Sequence, residues 1–291
     1  MTYQHVPVML KEVLEHLQVK PGKKYIDCTL GGAGYTTAIA EKKGKVLAID
    51  LDDLALNNAR KIIEDRKLKN VILVKDNFKN LREIVVGEFP AGTKFSGIVL
   101  DLGLSSAQLD DIERGFSFKG SRPLDMTFGP SDNSTEEIVN SYPLLELTRI
   151  FREYGEERRA YPIAKAIVQG RKKKRIKTTT DLVQIVEECV PKRFHQRIHP
   201  ATKIFQALRM ETNTELDSLS QVLPSASDLL EKGGRLVVVS FHSGEDRIVK
   251  RYFKSDEGLE ILTKRPLIAG EEEVRVNSRS RSAKLRAAQK V

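Results

Sequence analysis

Cysteine is scarce in this chain. Its two cysteines, Cys28 and Cys189, stand far apart and form no CxxC pair, which argues against a disulfide framework and supplies no zinc-ligand spacing. A reducing cytoplasm is the expected setting, with no metal required. No apolar stretch precedes Lys11 and Glu12, and no uninterrupted apolar run is long enough to span a bilayer, so neither secretion nor membrane insertion is expected. Internal repeats are also missing. What the chain does have is length and basic charge. Its 291 residues, 40% hydrophobic, can bury a sizeable core in one large domain or in a domain carrying an insertion. Lys+Arg 49 against Asp+Glu 40 gives +9; if clustered, that excess favours polyanions through counterion release.

Short β-rich runs alternate with helical patterns in the first third. Lys24 to Thr29, Lys45 to Asp50, Val71 to Val74 and Gly97 to Leu102 read as strands, the rhythm of a parallel α/β sheet. Tyr35 to Lys43 and Asp53 to Arg66 read as helices, the second with Leu54, Ile62 and Ile63 as core candidates. From about Asp110 to Asn213 the strand rhythm gives way to helices: Leu144 to Tyr154, Arg158 to Gln169, Thr180 to Cys189 and His199 to Thr212. The β pattern resumes at Arg235 to Phe241, after the turn Lys232-Gly233-Gly234, and Glu260 to Lys264 offers a further strand. The expectation is an α/β domain of residues 1–109 and 214–291 interrupted by a helical domain of residues 110–213. The Arg-, Lys- and Ser-rich tail from Arg275 to Lys290 reads as mobile unless RNA or the domain surface orders it.

The first strand runs into Leu30-Gly31-Gly32-Ala33-Gly34, where the backbone can turn sharply and approach a ligand at a helix N-terminus. A dinucleotide fingerprint starting at Gly32 wants Gly or Ala at position 37, which is Thr37 here. S-adenosylmethionine has no pyrophosphate to cradle, so a looser Gly-x-x-Gly turn suffices, and an acid closing strand two, Asp50, can accept both ribose hydroxyls. The ordinary reading of Asp50 is a strand-end carboxylate capping the next helix. Phe78 in Lys75-Asp76-Asn77-Phe78 is placed either against an adenine face or in the core.

Strand four breaks at Asp101-Leu102-Gly103-Leu104-Ser105-Ser106, and ligands in open α/β sheets sit at that carboxyl edge. Methyl transfer from a sulfonium is an in-line displacement that asks for alignment and exclusion of water. Carbon methylation calls for a cysteine nucleophile, which neither Cys28 nor Cys189 is placed to provide, so nitrogen and oxygen acceptors remain. Asp101 is the candidate group at the reaction centre. It either accepts an N–H of an exocyclic amine or orients the methionine ammonium of the cofactor. Ser105, Ser106 and Gln108 offer hydrogen bonds, or the serines cap a helix. Phe116 and Phe118 offer stacking to an extruded base, or pack in the core. His242 in Ser240-Phe241-His242-Ser243 falls on the same sheet edge and either touches substrate or serves the fold. The run Arg171-Lys172-Lys173-Lys174-Arg175 is read as a phosphate contact or a solvated face.

Taken together, these and further motifs resemble the ribosomal small-subunit methyltransferase H family, also called MraW, over nearly the whole chain. They are His5-Val6-Pro7-Val8, Asp27-Cys28-Thr29, Asp101-Leu102-Gly103, Ser105-Ser106, Gln108-Leu109-Asp110, Arg114-Gly115-Phe116-Ser117-Phe118 and Pro123-Leu124-Asp125-Met126. Tyr154-Gly155-Glu156-Glu157-Arg158, His199-Pro200-Ala201-Thr202, Phe205-Gln206-Ala207-Leu208-Arg209 and Ser240-Phe241-His242-Ser243 continue the series. The resemblance implies a class I methyltransferase, Rossmann-like sheet with an inserted helical substrate domain. It also implies S-adenosylmethionine as cofactor and N4 of a cytidine in the decoding region of 16S rRNA as acceptor, in free RNA or in the small ribosomal subunit. By position, the family's cofactor contacts fall on Ala33, Gly34, Tyr35, Asp50, Phe78, Asp101 and Gln108. The chain departs from the family pattern at Ala33, where glycine is usual, and at Tyr35, where histidine is usual. Gly244 replaces a leucine, and Met210-Glu211 an apolar pair. A Rossmann-type dehydrogenase and a non-catalytic RNA-binding protein are the rival readings.

Overall fold

A computed structural model describes residues 7–103, 114–117, 120–129, 134–190 and 199–291. The chain divides into two compact units, one of Met1–Ala107 with Leu216–Val291 and the other of Gln108–Glu215.

In the first unit, β1 (Lys24–Asp27), β2 (Lys45–Asp50), β3 (Val71–Lys75), β4 (Phe95–Asp101), β5 (Leu230–Ser240), β6 (Leu259–Ile261) and β7 (Lys284–Lys290) form one sheet in the order β3-β2-β1-β4-β5-β7-β6. The first five strands pair in parallel, and β7 runs antiparallel between β5 and β6. This is the class I α/β sheet that the resemblance implies. Strand β1 has β2 on one side and β4 on the other, so the strand order reverses there, the position at which open α/β sheets bind ligands beyond their carboxyl ends.

Both faces of the sheet are covered, which explains why the strand sequences read as near-continuous apolar runs. Leu236 and Val238 of β5 point into one layer with Ile26, Leu47, Ile98 and Leu100. That layer is covered by α4 (Leu81–Glu88), α10 (Glu215–Leu229) and α11 (Ser243–Ser255). Val237 and Val239 point into the other, with Tyr25, Val46, Ala48 and Val99, under α1 (Leu10–Leu17), α2 (Gly34–Glu41) and α3 (Asp53–Asp65). In α3 the buried positions are Ala55, Leu56 and Ala59. Leu54, expected in the core, is 46% exposed because it lies in the first turn on the opposite side of the helix, while Ile62 and Ile63 are partly buried.

The tail takes the ordered alternative to mobility, held by the domain itself: it forms α12 (Glu271–Val276), a 3-10 turn over Ser278–Ser282, and β7. Leu285, Ala287 and Ala288 are buried in the two core layers. The charge of Arg286, buried between them, is matched by Asp246 on α11, with Nε to Oδ1 at 2.6 Å.

The second unit contains α5 (Thr135–Ser141), α6 (Leu144–Glu153), α7 (Ala160–Lys173), α8 (Thr179–Cys189) and α9 (Ala201–Thr212). Its interior is built from Leu147, Ile150, Phe151, Ile163, Ile167 and Leu208 and their neighbours. Helix α5 was not anticipated from the sequence. Among the described residues no helix is long and apolar enough to cross a membrane.

Candidate active site

The turn after β1 ties together the ends of three strands. Beyond Asp27, Cys28 N–H donates to Val99 O of β4 and Leu30 N–H to Ile49 O of β2, both at 2.9 Å. Gly31, at φ 47°, donates its N–H to Asp50 Oδ2 at 2.8 Å. On the other side Thr29 Oγ1 accepts from the Asp101 N–H at 2.6 Å. The glycine turn, Asp50 and Asp101 therefore meet at one edge of the sheet.

Asp50 does not cap the following helix. Asp52 does, accepting from Leu54 N–H at 3.0 Å. The Asp50 oxygens accept one backbone N–H each, from Gly31 and from Asp52 at 2.9 Å. Burial pushes its carboxyl up to about 6 against the pull of those two bonds. Each oxygen keeps a further lone pair for an incoming hydroxyl.

Asp101 closes β4 at the same edge. Although the residue keeps some accessible surface, its Oδ1 is buried and has no hydrogen-bond partner among the described residues. Burial raises the carboxyl to about 8, Asp27 and Glu245 push the same way, and Arg279 opposes them. A native buried acceptor without a donor requires a reason, and a cationic or N–H-bearing ligand supplies one.

Asp27 is fully buried and accepts from Thr36 Oγ1 at 2.7 Å and from Thr29 N–H at 3.2 Å. Burial nonetheless raises its carboxyl above the ordinary value. The neighbouring Cys28 thiol is pushed well up by burial and then by Asp27, which keeps it from being a thiolate nucleophile.

Ala33 occupies the left-handed region at φ 61°, where glycine carries no steric penalty. It opens α2 without a side-chain cap. A Cβ on Gly34 would lie 2.7 Å from Pro7 Cβ, so this glycine lets the N-terminal segment pack down on α2. The Tyr35 ring is buried and its hydroxyl donates to Val8 O. Its side chain therefore points into the core. Phe78 lies in a 3-10 turn, partly buried against the core, while Asp76 and Asn77 spend side-chain oxygens on local N–H groups.

His242 caps α11. Its Nδ1 accepts from Glu245 N–H at 3.3 Å, and Glu245 Oε2 returns the bond to the N–H groups of Phe241 and His242. An accepting Nδ1 places the ring proton on Nε2. Nε2 lies 2.9 Å from Glu245 Oε1 in a geometry that makes no hydrogen bond. In the second unit, Phe116 is 7% exposed, stacks on Phe128 at 5.7 Å and has the Arg114 guanidinium 5.5 Å from its centroid. Ser105, Ser106, Gln108 and Phe118 lie outside the described residues. The basic run is largely engaged: Arg171 donates to Val139 O, Lys174 pairs with Asp181 and Arg175 with Glu136. Among the described residues no three acidic, histidine or cysteine side chains form a metal-binding group.

Sequence reasoning did not single out Asp27, Glu245 or Arg279 as site residues. Asp27 had a signal, an acid closing β1 just before the glycine turn. Arg279 had none, because the tail read as unstructured.

Nearly the whole chain, residues 2–291, matches the MraW methylase family. The chain belongs to that family. Curated members named "Ribosomal RNA small subunit methyltransferase H" include one from Carboxydothermus hydrogenoformans, 43% identical across 100% of this chain and 99% of its own length. Others are from Deinococcus deserti (46%, with 99% and 93% covered) and Heliobacterium mobile (43%, with 100% of both chains). As an MraW methylase, the chain has a methyl donor to hold, and Asp27, Asp50 and Asp101 close three strands at the sheet edge where open α/β folds bind ligands.

Proposed function

We propose that this protein transfers the methyl group of S-adenosylmethionine to the N4 exocyclic amine of a cytidine in the decoding region of 16S rRNA, acting in the cytoplasm on the RNA or the small ribosomal subunit. The observation that carries the reading is the buried, unpartnered Oδ1 of Asp101 beside the Gly31 turn and Asp50. Family membership and the shared name of the relatives support the reaction class and the RNA.

The residues present fit the cofactor. An ammonium gives Asp101 Oδ1 the donor it lacks and stabilises the carboxylate that burial disfavours. A ribose diol can donate to the remaining lone pairs of Asp50, and the partly buried Phe78 can flank an adenine. Ala33, Gly34 and Tyr35 contribute backbone contacts, which explains how a core-facing Tyr35 is tolerated where the family usually has histidine. Gln108 is assigned by the resemblance.

When bound, the cofactor supplies a methyl group on a sulfonium, already electrophilic. The protein's own task is positional. Asp50 and Asp101 would hold the two ends of the donor, and holding both ends is what aligns a methyl donor with its acceptor. In this reading Asp101 serves the ammonium, and the helical unit of residues 110–213 handles RNA. Ser105, Ser106, Phe116, Phe118 and His242 are candidates for the substrate side. Of these, the buried Phe116 and the helix-capping His242 act through the elements they hold.

Nucleoside mass spectrometry of 16S rRNA from cells with and without this protein tests the proposal. Loss of N4-methylcytidine from the decoding region is expected, and an unchanged level would overturn it. Calorimetry adds a direct check: binding of NAD in place of S-adenosylmethionine would return the dehydrogenase reading.

A further inference from the structure

The edge that receives the cofactor is crowded with carboxyl groups. Asp27, Asp50 and Asp101 close β1, β2 and β4, and Glu245 acts on Asp101 from the start of α11. The methionyl end of S-adenosylmethionine is a zwitterion. An ammonium suits such an edge, but its carboxylate does not unless a cation stands beside it.

The chain's tail delivers that cation. Ser240, the last residue of β5, pairs with Lys284, the first of β7, one register step beyond the Asp101–Val239 pair. The 3-10 turn Ser278–Ser282 therefore enters β7 at the carboxyl edge of β4 and β5. Its backbone is firmly held. Ser280 is buried and donates Oγ–H to Asn277 O at 2.7 Å, and Ala283 N–H returns to Ser280 O at 3.0 Å. Asn277 N–H is anchored on Glu273 O at 2.7 Å. Glu273 Oε1 in turn accepts the N–H of Met9, also at 2.7 Å, tying the tail to the segment that packs on Gly34. Arg279 sits half-buried on this fixed turn, and it is the cation whose field reaches Asp101.

We propose that Arg279 holds the carboxylate of the methionyl end of S-adenosylmethionine, with Asp101 on the neighbouring ammonium. A planar guanidinium matches a carboxylate in a two-bonded fork, which a lysine ammonium cannot reproduce. The pair Asp101 and Arg279 then reads both charges of the amino-acid end and fixes the sulfonium between that end and the ribose on Asp50. This assignment rests on the reading that the edge binds S-adenosylmethionine with Asp101 at its ammonium.

The test compares two ligands by calorimetry, S-adenosylmethionine and its decarboxylated form, which keeps the amine and lacks the carboxylate. On the unaltered protein the intact cofactor is expected to bind about 10- to 100-fold more tightly, the range for charge-assisted hydrogen bonds. Equal affinities would overturn the proposal without needing any variant. Arg279→Gln is expected to remove that preference, weakening the intact cofactor while leaving the decarboxylated one within about twofold. Arg279→Lys should restore part of it. Equal losses for both ligands would mean that Arg279 acts only on the fold or the general field. Unchanged cofactor affinity with a raised KM for RNA would move the arginine to a phosphate, again overturning the proposal. Failure of the unaltered protein to bind either ligand would instead overturn the reading of the edge itself.

Discussion

Arg286 in the middle of β7 is clamped to Asp246 on α11 by two contacts, 2.6 and 3.1 Å, with their side chains only 7% and 15% exposed. Such a pair gains little over an apolar substitute, but removing one partner strands a buried charge. Asp246→Ala is therefore expected to lower the unfolding free energy by about 3–5 kcal/mol, read from denaturant titration. A loss below about 1 kcal/mol, the worth of an exposed pair, would show that Arg286 finds solvent instead.

Asp101 should report ligand binding through a proton. Its carboxyl, raised to about 8 mainly by burial, is mostly protonated near pH 7 in the ligand-free protein. Pairing with an ammonium requires the carboxylate, so cofactor binding at about pH 7 should release close to one proton, and affinity should strengthen as pH rises toward 8. Because the folded value lies above the unfolded one, the ligand-free fold is favoured below 3.8 and loses stability as pH climbs to about 8. Binding heats in buffers of different ionisation enthalpy count the proton. Asp101→Asn should abolish its release, and proton release unchanged in that variant would assign it to another group.

Asp50→Ala should weaken S-adenosylmethionine binding by about tenfold or more, the cost of losing hydrogen bonds to a charged acceptor. Equilibrium dialysis with labelled cofactor measures this. Affinity within a factor of about two of the parent would remove Asp50 from the ribose.

Tyr35→Phe separates core from contact. The hydroxyl bond to Val8 O is lost, so stability should fall by about 1 kcal/mol. Cofactor affinity should hold, because only the backbone of this residue faces the ligand in the proposed arrangement. A tenfold loss of affinity at unchanged stability would place the side chain in the site instead.

The parts of the fold legible in the sequence were those decided locally. Strand β2 and the start of α3 were readable because a doubly buried strand is a plain apolar run and an acidic cap follows it. The glycine turn and Asp50 were readable for the same reason: the turn needs particular residue types at fixed offsets. Strand β7 was not. Its buried residues are Leu285, Arg286, Ala287 and Ala288, flanked by Lys284, Gln289 and Lys290, and the partner that neutralises Arg286 lies 40 positions away. Nothing local marks such a segment as interior. The basic run was legible only as a choice between a phosphate contact and a solvated face: residues 172–175 are exposed, while Glu136, Asp181 and Val139 O, which engage parts of it, come from neighbouring helices that its own sequence does not name.

The sheet's late-arriving strand also sets the order of assembly. During synthesis β1 to β6 are all made before residues 284–290, yet β6 reaches the rest of the sheet only through β7. Until that segment emerges, β5 presents an unpaired edge to whatever is near, and the turn bearing Arg279 has no strand to hold it in place. In the proposed arrangement, a half-made chain would thus carry the groups for the adenosine end before it could grip the carboxylate of the amino-acid end.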